Sequence, residues 1–298
     1  MEVITQANLA NYENVNIENF EKSNFSYSFS FLPKDEREAI NSIYAFFSYI
    51  DNIVDETPTV NQIEIDKKLR RLEFWENSIN SIYSRKENSK LLKPLVKTID
   101  RFLIPKQYFT TLIDGCKSDL INYRYETFDD LKKYCYSVAS IVGLTCIEIF
   151  GYKYEETKNY AINLGYAFQL TNIIRDIKND KDRGYIYIPK EDLIRFKYSE
   201  EDLFNEVYNE NFVELMSFQV KRAREYYHKA RSFLRPDERN RLIAAEIMDD
   251  IYCRLLDKIE LNNYNIWEKK IKVSTSHKII MALKHWLSIK IFIKRIKS

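Results

Sequence analysis

Apolar positions recur with a helical period almost without interruption from Lys34 to the end of the chain. LPKDEREAINSIYAFFSYIDNIVDE predicts a helix starting after Pro33, with acids in its first turn to suit the helix macrodipole. That helix should stop near Thr57-Pro58. VNQIEIDKKLRRLEFWENSINSIYS predicts a second amphipathic helix, and residues 90–120 one or two more, interrupted at Pro105. ETFDDLKKYCYSVASIVGLTCIEIFGY reads as a long helix, nearly all apolar in its second half. ETKNYAINLGYAFQLTNIIRDIKNDKDRG reads as another, ending at Gly184. GYIYIP is the one strand-like stretch. Later helices are expected at about 200–232 and 236–262, and a last one at about 275–297.

A helix that is apolar on most of its faces belongs in the middle of a bundle. Two such helices predict an all-α bundle with more than four members. No linker or internal repeat is visible, so residues 1–298 are read as a single domain.

Composition narrows this picture. Gly (5) and Pro (6) together make up 3.7% of 298 residues, where average usage gives about 12%. So few turn residues exclude a many-stranded β architecture and a Gly-rich nucleotide loop. With 45% hydrophobic residues the chain is not disordered, and its core is large enough to hold a sizeable apolar ligand.

The formal net charge of +2 gives no case for nucleic-acid binding, but the charge is unevenly placed. The last acid is Glu268; nine Lys or Arg follow it, while the first 268 residues carry a net charge of −7. Within this basic tail Ile279, Ile280, Leu283, Trp286, Leu287 and Ile293 fall at helical spacing beside Lys284, Lys290, Lys294 and Arg295. Such a helix either packs on the bundle or lies peripherally on an anionic membrane surface. Neither the four cysteines nor the three histidines have metal-ligand spacing. No signal peptide and no apolar run of about 18 residues is apparent, so a cytoplasmic location without a spanning helix is expected.

Candidate chemistry lies in two aspartate pairs at i, i+4: Asp51/Asp55 and Asp176/Asp180. That spacing stacks both carboxylates on one helix face. About six acid pairs at this spacing would arise by chance, most of them on solvated faces. These two lie in the otherwise apolar stretches YAFFSYIDNIVDE and GYAFQLTNIIRDIKND, where acids are costly unless a cation compensates them. Carboxylate pairs aimed into a bundle suit Mg²⁺, which shares its shell with waters and substrate phosphates.

Five blocks in order carry a resemblance to a known family: FSYSFSFLP; IYAFFSYIDNIVDE; LIDGCKSDLINYRYETFDDLKKYCYSVASIVG; LGYAFQLTNIIRDIKNDKDRGYIYIP; and AAEIMDDIYCRLLDKIELNNYNIW with KVSTSHKIIMAL. The chain resembles the squalene/phytoene synthases, which are head-to-head prenyl-condensing enzymes with a single-domain isoprenoid-synthase bundle and a central apolar cavity. All five glycines lie in or at the edge of these blocks, where close helix approach or room for a prenyl chain would call for them.

The resemblance implies metal ligation by Asp51, Asp55, Asp176, Asp180 and Asn172, with Mg²⁺ or Mn²⁺. It implies diphosphate binding by Lys22, Asn172, Arg175, Arg183 and Lys269, and catalytic roles for Tyr134, Tyr252 and Arg175. Asp114 and Asp119 also match, with a helix-capping or surface role left open. The implied reaction joins two farnesyl diphosphates through presqualene diphosphate to a squalene-type product, with NADPH only if that product is reduced. The alternatives are a phytoene synthase using geranylgeranyl diphosphate and a catalytically degenerate scaffold protein. The chain departs from the family pattern in four places: Ser48 and Tyr185 stand where the resemblance implies Arg, Asn52 follows Asp51 where many members have a second acid, and Glu21-Lys22-Ser23-Asn24 replaces a His-Ser-type diphosphate contact. Lys178 is a further candidate to offset the lost charge.

Overall fold

The computed structural model describes residues 28–29, 32–56, 61–87 and 89–296, without the side chains of 286 and 288–296. The Lys22 segment, and the side chains of Trp286, Lys290, Ile293, Lys294 and Arg295, lie outside the described set.

The chain forms helices α1 (Lys34–Asp55), α2 (Gln62–Tyr83), α3 (Lys93–Phe102), α4 (Lys106–Asp119), α5 (Phe128–Cys135), α6 (Ile141–Phe150), α7 (Glu156–Asp182), α8 (Lys190–Arg195), α9 (Glu200–Phe204), α10 (Glu210–Phe233), α11 (Ile243–Leu261) and α12 (Thr275–Ile296). Among the described residues no strand forms. GYIYIP contributes only an isolated bridge, Arg124 to Ile186, pinned by the Ile186 N–H to the Tyr123 carbonyl at 3.1 Å.

Local chemistry sets several boundaries. α1 carries Asp35 and Glu36 in its first turn, and the Asn61 side chain accepts from the Glu64 N–H to open α2. The helix expected over 200–232 is two helices. Ser199 and Asp202 form a capping box for α9, and the Asn209 side chain caps the Phe212 N–H to start α10. The helix expected from 236 starts at Ile243, because Glu238 is buried and bonds the Thr157 hydroxyl and the Lys153 N–H instead.

α5, a π-helical turn (Tyr136–Ser140) and α6 run on as one 23-residue helix. Its mean hydropathy reaches 1.3, so it does satisfy the length and apolarity of a spanning helix, against the sequence expectation. It packs against α4 and α7 in the middle of the bundle, where a core helix needs that composition. The backbones meet closely there. A Cβ on Gly165 would lie 2.5 Å from Ser140 Cα, and one on Gly143 2.8 Å from the Ala161 carbonyl oxygen. Close helix approach is therefore what these two glycines permit.

Candidate active site

α1 brings Asp51 and Asp55 in its last turns, and α7 brings Asp176 and Asp180 near its end. All four line one cavity of about 420 Å³, joined by Asp119 from α4. Along α1 the lining passes from Ile40, Ile43 and Phe47 to Asp51 and Asp55. Along α7 it passes from Ala161, Leu164 and Phe168 to Asn172, Asp176 and Asp180. At 1.5 Å rise per residue these walls extend roughly 20–30 Å. The cavity is an apolar shaft with an acidic mouth.

The mouth holds more negative charge than its cations offset. Burial pushes Asp51 up to about 7, helped by the charges of Asp55 and Asp119 and opposed by Arg183. The Asp51 carboxylate is crowded by protein yet open to the cavity, so a bound cation can reach it. Burial likewise raises Asp180 to about 7, with Asp176 next in effect. Asp119 rises to about 7 through burial, although the Tyr187 hydroxyl donates to it at 2.8 and 3.0 Å. Burial also pushes Asp176 upward, but Arg175 and Lys270 outweigh it and hold this carboxyl below its ordinary range.

Three cations face the acids. Arg183 pairs with Asp55, joining the end of α7 to the end of α1. Arg175 pairs with Asp176, its Nε 3.0 Å from Oδ1, and lies close enough to Tyr252 for the two to interact electrostatically. Lys270 reaches Asp176 Oδ1 at 2.8 Å.

Aromatic rings line the cavity as well. Tyr134 stacks on Tyr187 with centroids 5.3 Å apart, and its hydroxyl lies 3.4 Å from Asp119. Tyr252 packs on Phe168 with ring centroids 4.6 Å apart. Both expected tyrosines therefore line the cavity.

Other expectations fall elsewhere. Lys269 is exposed and outside the cavity lining; its neighbour Lys270 makes the ion pair instead. Lys178 turns away, to Glu206 at 3.0 Å and the Trp267 carbonyl at 2.7 Å. Asp114 is a surface acid 3.8 Å from Lys117, whereas Asp119 enters the site. Ser48 lines the cavity, while Tyr185 is buried beside it.

Two further residues bear on the mouth, Tyr187 in its lining and Lys68 behind the end of α1. Lys68 is buried and donates to the Val54 carbonyl at 2.6 Å, where the end of α1 carries negative dipole. Its signal in the sequence was a lysine in register with the buried Leu72, Trp75 and Ile79. Tyr187 was signalled by its alternation with Tyr185, which sets both rings on one side of an extended segment.

Among the described residues no three His, Cys, Asp or Glu side chains form a ready-made metal cluster. The residues nonetheless fit a divalent cation of the Mg²⁺ kind, which takes one or two carboxylates and completes its shell with water and phosphate. The Asn172 amide oxygen supports this fit: it is buried, without a hydrogen-bond partner, on a residue that lines the cavity with Asp176. A buried acceptor of that kind is costly unless something meets it.

Comparison with known proteins assigns this architecture. The fold superposes on a dehydrosqualene synthase solved with a ligand, with a TM-score of 0.78 and 27% identity over 96% of this chain and 97% of that one. It also superposes on the squalene synthase of Alicyclobacillus acidocaldarius, with a TM-score of 0.75 and 23% identity over 88% and 97%, a likeness of fold. The fold is that of the isoprenoid-synthase helical bundles. Residues 21–277 match the squalene/phytoene synthase family, and the chain belongs to that family as a prenyltransferase. It is 36% identical to a phytoene synthase of Arthrospira platensis over 84% of this chain and 83% of the relative. It is 34% identical to a 15-cis-phytoene synthase of Synechococcus elongatus over 83% of each. These relatives favour the phytoene alternative over the squalene reading.

Proposed function

We propose that the protein joins two molecules of geranylgeranyl diphosphate head to head, through a cyclopropyl diphosphate, into a phytoene-type product. The observation that carries this reading is the pair of acidic walls, Asp51/Asp55 and Asp176/Asp180, at the mouth of an apolar shaft. The names of the relatives support the substrate.

Asp51 and Asp55 on one wall, and Asn172, Asp176 and Asp180 on the other, would hold Mg²⁺ or Mn²⁺, which supplies neutralisation of the leaving diphosphate. Arg175, Arg183 and Lys270 bind phosphate oxygens at the same mouth. The shaft below excludes water from the allylic cation left behind. The ring faces of Tyr134, Tyr187 and Tyr252 stabilise that cation by about 2 kcal/mol or more once it is desolvated. Arg175, which contacts both Asp176 and Tyr252, ties the diphosphate end to the cation end. A phytoene-type product needs no NADPH.

A second reading, with farnesyl diphosphate and a squalene-type product, is favoured by the structural likeness to the dehydrosqualene synthase. Incubating the purified protein with each diphosphate and Mg²⁺, and weighing the product, separates the two readings.

We propose further that the protein works at the cytoplasmic face of a membrane. α12 turns Ala282 and His285 inward, the latter 2.8 Å from Asp250 on α11, while Ile279, Ile280, Leu283 and Leu287 stay 44–62% exposed. An apolar outer face on an acid-free basic segment suits anionic lipid. Co-sedimentation with vesicles containing anionic lipid tests this; Ile280→Ser with Leu283→Ser should lower the bound fraction, and unchanged binding would contradict it.

A further inference from the structure

Tyr185 stands where the family resemblance leads one to expect an arginine, and the structure gives it a definite place. The Arg183 guanidinium carbon lies 5.4 Å from the centre of the Tyr185 ring. The ring itself is wedged. It stacks on Tyr187 with centroids 5.9 Å apart and planes 9° apart, and meets the edge of Tyr123 at 5.7 Å. It is 4% exposed. The backbone beneath it is also fixed. The Tyr185 N–H bonds the Asp180 carbonyl at 2.9 Å, and Arg124 donates to the Gly184 carbonyl at 2.7 Å. Gly184, at φ +88°, makes the turn that brings residues 183 and 185 to the same side.

Arg183 in turn is the cation whose charge reaches most of the mouth. It pairs with Asp55, and its field acts on Asp51, Asp119 and Asp180. Were divalent cations to neutralise those carboxylates, Asp55 would hold the guanidinium less firmly. A long, flexible side chain released there would swing into solvent and lose much of its use as a diphosphate clamp. A rigid aromatic face keeps it at the mouth at little entropic cost.

We propose that Tyr185 is a positioning residue: its ring face seats the Arg183 guanidinium at the cavity mouth, so that this arginine clamps the substrate diphosphate without a second arginine at position 185. The proposal rests on the reading of this mouth as a diphosphate site. It assigns a role to the ring face of Tyr185 and none to its hydroxyl.

The experiment varies the ring face at constant shape. Tyr185 is replaced by phenylalanine and by phenylalanines bearing one, two and three ring fluorines, which drain the negative ring face stepwise. The affinity of each protein for inorganic pyrophosphate with Mg²⁺ is measured by calorimetry, and KM and kcat with the prenyl diphosphate are measured alongside. Tyr185→Phe should bind as wild type does. Affinity should then fall with each fluorine, by about three- to tenfold across the series, with KM rising in parallel and kcat changing less. The same series built on Arg183→Gln should be flat. Equal affinity across the fluorinated series in the Arg183 protein overturns the role of Tyr185 alone. Failure of the wild type to bind pyrophosphate with Mg²⁺ overturns both this role and the diphosphate reading.

Discussion

Arg183 and Asp55 are 128 positions apart in sequence, yet their ion pair ties the end of α7 to the end of α1 across the cavity mouth. It is a direct link between the two acidic walls. The mouth is thus held together by a protein cation while five carboxylates line it.

On the proposed reading the acids serve catalysis at a cost in stability. Asp51→Asn and Asp176→Asn should each reduce turnover by at least about a hundredfold, since a lost charge-stabilising contact in a water-poor site is worth that much. Both proteins should still fold. Asp51→Asn removes a repelled carboxylate, so without metal at pH 8 it should melt above the wild type. Near-normal rates in either variant, or a lower melting temperature for Asp51→Asn, would contradict the assignment.

The pH dependence has a definite sign. Asp51, Asp119 and Asp180 titrate near 7 in the folded protein, against an ordinary 3.8. Between about pH 4 and 7 the folded chain binds more protons than the unfolded chain, so these groups make stability fall as pH rises through that window. Divalent cations compete with those protons. Added Mg²⁺ should raise the melting temperature more at pH 8 than at pH 6, and its binding should release protons at pH 6. Melting curves at the two pH values, with buffers of differing ionisation heat for the proton count, check both points. A larger Mg²⁺ effect at pH 6 would refute the electrostatics.

Much of this arrangement was legible in the sequence. The near-continuous helical period gave the bundle, and two acid pairs in apolar stretches gave both walls. What escaped depended on contacts between distant segments. Asp114 and Asp119 looked alike, yet the turn of α4 sends one to solvent and the other to Tyr187. Lys269 and Lys270 are adjacent in an irregular segment, where no period says which side chain points inward. Capping by Ser199 and Asn209 divided a stretch whose apolar pattern ran straight through.

Close backbone packing around the π turn should be intolerant of a single methyl group. Gly165→Ala places a Cβ 2.5 Å from Ser140 Cα, in contact with backbone rather than with a yielding side chain. α7 would have to move away, at a cost of about 1–3 kcal/mol for such overpacking. Denaturant titration measures this, and an unchanged midpoint would show that the helices can separate freely.

A structural ion pair provides the contrast. Asp192 is buried, held by Arg222 at 2.5 and 3.0 Å and by Gln219 at 2.9 Å, and Arg222 also lies over Phe128 at 4.1 Å. Asp192→Ala leaves a guanidinium uncompensated and should cost about 3–5 kcal/mol. Below its melting temperature the variant should keep wild-type KM for the prenyl diphosphate, because the pair lies outside the cavity lining.

The most direct test of the central claim is the product formed by the purified protein. Incubated with geranylgeranyl diphosphate and Mg²⁺, it should release pyrophosphate and yield a C40 hydrocarbon of phytoene mass without added NADPH. Pyrophosphate release only from farnesyl diphosphate, with a C30 product, would contradict the proposed substrate. No release from either diphosphate would contradict the assignment of this cavity as a prenyl-condensing site.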